Sequence, residues 1–306
     1  MKNSKIGGQA VIEGVMMRNS DKYAVAVRKP DHEIEVKTFD ITDNDKVSKI
    51  PIIRGIVTFV RSLAIGMKAL TFSSEFFEEE PATTAEDKKK KERETKVESV
   101  FVVAFSILLA IAIFMAIPYL VSKFFVKWID SNILLSLIEG AIRIIFFFAY
   151  VIAISRMDDI KRVFSYHGAE HKCINCLETG NELTVENVRN ASRFHKRCGT
   201  SFLFLVMIVS VIFYCFINVD GRLLQFLIRL VLIPAIAGVS YEFVRLAGSS
   251  EGKLINILSK PGLWLQHLTT REPSDDMIEV GIASVEAVFD WQEFLDEYYR
   301  DEEAKS

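Results

Sequence analysis

The stretch YHGAEHKC, residues 166 to 173, carries the residue types of a metal-dependent hydrolase. On a helix, His167 and His171 are four residues apart and share a face, so both imidazoles can reach one ion, with Glu170 beside them. The order H-x-x-E-H is that of the inverted zincins, in which two histidines bind zinc and the glutamate activates water. The stretch therefore predicts a site for a divalent metal with Glu170 as general base. Zinc is the expected ion and iron the alternative.

A catalytic zinc takes a third protein ligand and keeps its fourth position open. The sequence offers His195, Cys198 and Glu242 for this role. The first two belong to HKRCGT, directly before an apolar stretch. Glu242 lies inside another apolar stretch, where a carboxylate is costly unless it is paired or functional. It follows His171 at a separation close to that of the downstream glutamate ligand of inverted zincins.

Two other readings of the same region stay open. Cys173, Cys176, His195 and Cys198 form the pattern C-x2-C-x18-H-x2-C, which is close to a closed structural zinc knuckle. A site with no metal, in which these side chains cap helices, meet lipid headgroups or fill a small core, is the third reading. A redox Cys-x-x-Cys pair is disfavoured because the strand-turn-helix context of thioredoxin-like motifs is missing.

Long apolar stretches dominate the 306-residue chain, in which 50% of residues are hydrophobic. Four of them, 100–122, 133–155, 200–219 and 223–247, can each cross about 30 Å of hydrocarbon as a helix. Lys and Arg are concentrated before the first, between the second and third, and after the fourth, which places both termini and the segment 156–199 in the cytosol. We expect a mainly α membrane protein with about four transmembrane helices and a small α+β cytosolic portion. Cytosolic thiols stay reduced, so the four cysteines favour metal over disulfides.

Charged residues within the apolar stretches define a second candidate polar site. Glu139 and Arg143 stand at i and i+4 and should pair, and Arg229 needs a buried partner, for which Glu139 or Glu242 would serve. Either these charges fix helix packing or they form the polar path of a small transporter. His267, beyond the last stretch, is a further candidate for a polar site.

The remaining segments predict cytosolic and interfacial elements. Residues 22–39 alternate apolar and polar side chains around KPDH, which indicates two strands and a turn. Arg54, Arg61 and Lys68 recur every seven residues on an apolar helix, which suits the membrane interface, with a buried core helix as the alternative. An apolar pattern through Ile278 and Val285 predicts a C-terminal helix. The predicted segments are 1–74 (β element and interfacial helix), 75–99 (charged linker), 100–155 (transmembrane helices), 156–199 (His/Cys loop), 200–247 (transmembrane helices) and 248–306 (C-terminal helical region).

Charge and composition point to lipid as the first partner. The four lysines of KKKK before the first apolar stretch favour anionic lipid headgroups, and the cytosolic helices offer surfaces for a protein partner. The net charge of −3 and the lack of basic stretches interleaved with aromatic residues give no reason to expect nucleic acid. The sequence does not indicate an oligomeric state.

The blocks GGQAVIEGVMMR, YHGAEHK, RCGTSF, SYE and LTTREP, in this order, resemble the YqhQ-like family of bacterial membrane proteins, a domain of unknown function described as a predicted metal-dependent enzyme. The resemblance covers nearly the whole chain and implies a multi-pass protein of the bacterial inner (plasma) membrane. It also implies that the equivalents of His167, Glu170, His171, His195 and Cys198 belong to the site and that Cys173 and Cys176 do not, which weakens the knuckle. Lys196 stands where the family's usual proline is expected.

The family's N-terminal block, GGQAVIEGVMMR, either folds over the site, contributing Glu13 and Arg18, or forms a tight structural turn.

From the pattern of metal ligands around Glu170 we expect a hydrolase that cleaves a peptide or lipid-linked bond at the cytosolic membrane surface. A non-enzymatic scaffold or regulator with a structural metal site and a small transporter are the alternatives.

Overall fold

The computed structural model describes residues 2–41, 50–77, 101–217, 219, 221–249 and 252–300. The chain divides into two compact units, one formed by Met1–Phe77, Val151–Val206 and Ala237–Ser306, the other by Glu78–Tyr150 and Met207–Ile236. The charged linker predicted over 75–99 lies, from residue 78 onward, outside the described residues.

The first unit contains a four-stranded antiparallel sheet in the order β1-β2-β3-β4. Its strands are β1 (Gly7–Val11), β2 (Gly14–Asn19), β3 (Lys22–Arg28) and β4 (Ile34–Asp40). The last two are the strands predicted over 22–39. The first two were not predicted as strands, and their block folds as a hairpin in which Gly8 pairs with Met17 and Gly14 with Val11.

Helices cover both faces of this sheet. Side chains alternate along a strand, so Val15 and Met17 face one side while Met16 faces the other. The first side packs on two helices, α4 (Asp158–Glu178) and α10 (Asp275–Glu286), and the second on α1 (Ile53–Ser74) through Ile65 and Phe72. The C-terminal helix predicted through Ile278 is therefore confirmed as α10.

Eleven α-helical elements lie within the described residues. In order they are α1 (Ile53–Ser74), α2 (Phe101–Lys127), α3 (Asn132–Ile154), α4 (Asp158–Glu178), α5 (Val185–Asn190), α6 (Gly199–Cys215), α7 (Arg222–Val231), α8 (Ile233–Ser249), α9 (Lys253–Thr269), α10 (Asp275–Glu286) and α11 (Trp291–Leu295). The segment 156–199, predicted as a His/Cys loop, thus contains two helices.

Within the described ranges, three helices are long and apolar enough to cross a membrane, or four if one bent pair counts as a single span. They are Ile53–Phe77, Phe101–Lys127 and Asn132–Ile154, and the pair is Leu223–Val231 with Ile233–Leu246, bent by 42°. Pro234 is the second residue of the second helix, and a proline there cannot donate the hydrogen bond that would continue the first helix. The predicted class, a mainly α membrane protein with a small strand region, is confirmed.

A buried group of charges holds the second unit together, as expected for Glu139, Arg143 and Arg229. Arg143 Nη2 donates to Glu139 Oε1 at 2.6 Å, and Arg229 donates to the other carboxylate oxygen. Arg143 Nε donates at 2.8 Å to the carbonyl of Phe114, which Pro118 cannot use because it has no N–H. All three charged side chains are at most 5% exposed, so they serve as one another's partners in place of water.

Candidate metal centre

Helix α4 places His167, Glu170 and His171 on one side, as their spacing predicts. Asp158 and Asp159 in its first turn complement the helix dipole, and Gly180, at φ 85°, follows its end. From Tyr166 on, most of the helix is buried in the core of the first unit. A helix buried in this way is a rigid base for ligands.

The structure brings Cys198 to the two histidines. Candidate ligand atoms of His167, His171 and Cys198 all lie within 4.8 Å of one another, and Cys198 Sγ is 3.3 Å from His167 Nε2. Cys198 and His171 are buried, and His167 is partly buried. Imidazole nitrogen and cysteine sulfur are both ligands that zinc takes, and three protein ligands leave a fourth position open.

Backbone carbonyls orient both imidazoles. His167 Nδ1 lies 2.9 Å from the carbonyl oxygen of Thr269, and His171 Nδ1 lies 2.6 Å from that of Arg193. A carbonyl only accepts, so each Nδ1 carries a hydrogen, and in the neutral imidazole Nε2 then offers its lone pair to an ion. Metal-binding histidines are commonly oriented in this way.

The three groups also change one another's protonation. Burial alone would raise the pKa of Cys198, but the charge of His167 and hydrogen bonds from His167 and His171 hold that pKa well below its usual range. Burial alone would lower the pKa of His167, but the charge and hydrogen bond of Cys198, with Glu170, raise it to about 9. The lowered pKa of Cys198 favours the thiolate, the form that binds metal.

Side chains of α4 also position the segment that leads to Cys198. Lys172 Nζ donates to two of its carbonyls at 2.8 and 2.9 Å, and Asn175 Nδ2 donates to two more at 2.6 and 3.0 Å. The acceptors are the carbonyls of Arg189, Ala191, Ser192 and Phe194. Cys198 Sγ then lies 3.1 Å from the hydroxyl of Thr200.

Glu170 lies beside the three candidate ligands and is 4% exposed. Its Oε2 is 3.5 Å from His171 Nε2. A Cβ at Gly8 would come within 3.0 Å of Glu170 Cγ and would overlap the carbonyl of Met16, so the N-terminal hairpin passes close over the glutamate only because this residue is glycine. His167, Glu170, His171 and Cys198 line one cavity of about 880 Å³.

The other two candidates for the third ligand have different partners. His195 Nε2 is 3.6 Å from Glu178 Oε2, and the ring centroids of His195 and His171 are 5.8 Å apart. Glu242 accepts two hydrogen bonds from the guanidinium of Arg54, one of them at 2.7 Å. Neither joins the His-His-Cys group, because an ion pair already occupies the Glu242 carboxylate and Glu178 faces the His195 ring.

The zinc knuckle does not assemble. Cys173 is buried in the core against Gly281, and Cys176 donates to the carbonyls of Asn181 and Glu182. Burial raises the pKa of Cys173 well above its usual range and that of Cys176 to about 12, so both are neutral thiols. They are core residues of α4, as the family resemblance implies.

The remaining candidate polar residues are separate from one another. Arg18 lines the cavity above the ligands. Glu13 instead pairs with Arg162 at 2.5 Å and accepts from Tyr166 at 3.2 Å. His267 is exposed and stacks on Phe194.

Two residues that position the site were not predicted. Gln266 is fully buried, accepts from the backbone N–H of His195 at 2.9 Å and donates to its carbonyl at 2.8 Å. Glu178 accepts from Arg197 and from the N–H and hydroxyl of Ser4. Hydrogen bonds from His195 and Arg197 outweigh burial and lower the pKa of Glu178 to about 2. The only sequence signal for Gln266 was its position two residues before LTTREP.

Comparison with known proteins identifies the family of this chain. Residues 50–291 match the family model described as "Protein of unknown function (DUF1385)". The chain is 37% identical over 294 residues to "Uncharacterized protein YqhQ" of Bacillus subtilis (strain 168), covering 91% of this chain and 90% of that protein. No solved structure matches. A chain that matches over this length belongs to the DUF1385 family of YqhQ-like proteins.

Proposed function

We propose that this protein is a metal-dependent membrane hydrolase in which His167, His171 and Cys198 hold a divalent ion. The observation that carries the proposal is the orientation of the two imidazoles: both Nδ1 atoms donate to carbonyls, and both Nε2 atoms are left for the space beside Cys198 Sγ. Zinc fits this donor set, with iron as the alternative. Such an ion would polarise the substrate and lower the pKa of water at the site.

Glu170 is the general base of this proposal. It lines the same cavity as the three ligands and does not belong to the His-His-Cys group, so its carboxylate remains available for a proton from water. Burial keeps competing bulk water away from it. The bond to be cleaved lies at the cytosolic membrane surface, in a protein with both termini in the cytosol, because Lys and Arg cluster on that side.

The first experiment measures metal per chain by elemental mass spectrometry on untagged protein in detergent. We expect about one ion per chain in the wild type and in Glu170→Gln, and its loss in His167→Ala. Glu186→Gln, an exposed carboxylate on α5, is the matched control. A metal-free wild type after reloading with zinc or iron would reject the proposed centre.

The second measurement separates an enzyme from a scaffold. Glu170→Gln should retain the ion and lower turnover of peptide, carboxylic-ester or phosphate-ester substrates by about 100-fold or more. Turnover equal to that of Glu186→Gln would exclude Glu170 as the base. Bound metal without turnover of any substrate by the wild type would favour the scaffold with a structural ion.

The transporter reading has less support. Glu139 and Arg229 line a cavity of only about 10 Å³, about the least that holds one water molecule. The arrangement around them resembles a packed charge cluster more than a polar path.

A further inference from the structure

The cavity above His167, His171 and Cys198 is lined by cations. Six of its described lining residues are basic, and one, Glu170, carries a carboxylate. The six are Lys5, Arg18, Arg54, Arg61, Arg197 and Arg245. Cations outnumber carboxylates along this described lining, and an excess of one sign of charge in a cavity concentrates ligands of the opposite sign.

Two of these guanidinium groups are held in place by carboxylates that do not line the cavity. Glu242 accepts from Arg54, and Glu178 accepts from Arg197 at 2.5 Å. Fixed guanidinium groups bind planar or tetrahedral oxyanions without first losing side-chain freedom. The cavity is therefore organised for an anion before the anion arrives.

Apolar side chains complete the wall on two helices that are apolar enough to lie in a membrane. Val57 and Ile65 line the cavity from α1, and Tyr241 and Val244 line it from α8. Both a charged group and an attached carbon chain would find matching surface. The volume of about 880 Å³ accommodates a small organic ligand.

We infer that the cavity binds a phosphate ester, and that such an ester is the substrate of the proposed hydrolase, on which this inference rests. Arginine forks match phosphate oxygens in geometry and charge. The ester is either the headgroup of an anionic phospholipid or a water-soluble phosphate. In the reaction the oxygen of water bonds to phosphorus, and the P–O bond to the alcohol breaks. One water proton passes through Glu170 to the departing alcohol oxygen.

The test measures binding separately from turnover, by isothermal titration calorimetry of the metal-loaded protein in detergent, with all samples carrying Glu170→Gln so that the proposed general base is absent. The two probes are glycerol 1-phosphate and dihexanoyl phosphatidic acid, titrated at the same ionic strength. Arg61→Gln should weaken binding of both probes by about 10-fold, the usual scale for one hydrogen bond between charged groups. Lys68→Gln is the matched control, because Lys68 lies seven residues farther along α1 and lines a different cavity.

A second variant, Arg18→Gln on β2, keeps the test decisive if Arg61→Gln fails to fold. Tighter binding of the lipid probe would identify a lipid headgroup, and equal binding would identify a soluble phosphate; both support the inference. No binding of either probe, or equal loss in Lys68→Gln and Arg61→Gln, would overturn it. Metal content of the same sample separates the two failures: metal without anion binding rejects the phosphate ester alone, whereas absent metal rejects the hydrolase.

Discussion

The rings of His167 and His171 differ from the ring of His267 in the groups that surround them. All three place Nδ1 close to a backbone carbonyl, so this contact alone does not mark a ligand. The first two rings, 4.4 Å apart by their centroids, lie next to the Cys198 thiolate, whereas the ring of His267 is exposed and stacks on Phe194. Convergence of Nε2 atoms on a third ligand therefore separates a candidate centre from an anchored surface histidine.

At the residue scale, Cys198 and Cys173 should separate the open site from the knuckle. Cys198→Ser should lower bound zinc to a small fraction of the wild-type content, because a neutral hydroxyl replaces a thiolate ligand. Cys173→Ala should keep the ion and lower the free energy of unfolding by about 1 kcal/mol, because it removes a buried sulfur. Elemental mass spectrometry and thermal unfolding of both variants provide the two readouts. The reverse pattern of metal loss would restore the knuckle.

The spacing of H-x-x-E-H could be predicted because i and i+4 positions of one helix are neighbours whatever the rest of the chain does. The choice among His195, Cys198 and Glu242 could not, because it depends on which backbone carbonyls Lys172 and Asn175 bind. Those contacts decide which side chain of the following segment reaches α4. Short-range periodicity does not encode them.

At the scale of elements, α4 and the LTTREP segment form one functional piece. A Cβ at Gly168 would overlap the carbonyl oxygen of Arg271, and Arg271 donates its N–H to the carbonyl of Phe164 at 2.9 Å. The close approach brings the carbonyl of Thr269 to His167. The LTTREP segment can therefore pack this closely on the YHGAEH stretch of α4 because residue 168 is a glycine.

Gly168→Ala should push this segment away from α4. We expect a loss of about 1–3 kcal/mol in the free energy of unfolding, the usual range for overpacking, together with weaker zinc binding as the His167 anchor moves. Thermal unfolding and zinc competition with a chelator are the measurements. Gly7→Ala is the control, because nothing lies within 4 Å of a Cβ there. Wild-type stability and zinc affinity in Gly168→Ala would show that the segment does not orient His167.

Strands β3 and β4 were predictable, whereas β1 and β2 were not. Ile34–Asp40 is largely exposed at the edge of the sheet, and the turn before it marks the hairpin. Four consecutive residues of β2 from Gly14 are buried, because helices cover both faces of the sheet. A strand buried on both faces loses the apolar-polar alternation by which strands are recognised, and this holds for β3 as well, which is buried from Tyr23 to Val27. The KPDH turn and the exposed strand after it are therefore what marked the second hairpin.

At the scale of the whole molecule, the apolar helices only partly follow the four predicted stretches. The third stretch, 200–219, contains α6 (Gly199–Cys215), which is shorter than the roughly 20 residues of a full span. Ile53–Phe77, predicted as an interfacial helix, is long and apolar enough to cross, although Ile65, Ala69 and Phe72 pack on the sheet. Hydropathy measures composition and cannot tell whether an apolar face meets lipid or protein.

Removing a charge from the buried cluster of the second unit should lower the stability of the protein. Glu139→Gln leaves Arg143 and Arg229 without their shared counter-ion, and removing one partner of a buried pair costs about 3–5 kcal/mol. The rings of Tyr119 and Tyr214 beside Arg229 do not neutralise its charge. We expect a lower unfolding temperature in detergent, measured by circular dichroism. Asp130→Asn, an exposed carboxylate of the same unit, is the control.

The metal centre should be retained in those Glu139→Gln molecules that still fold. Its three ligands belong to the other unit, so zinc per folded chain of Glu139→Gln should equal that of the wild type. Size-exclusion chromatography before elemental analysis restricts the measurement to folded molecules. If Glu139→Gln instead unfolded at the wild-type temperature, the cluster would not be a stabilising element, and a role for these charges in moving an ion across the membrane would regain support. Stability lost with zinc retained would assign the two units separate tasks, one structural within the bilayer and one chemical.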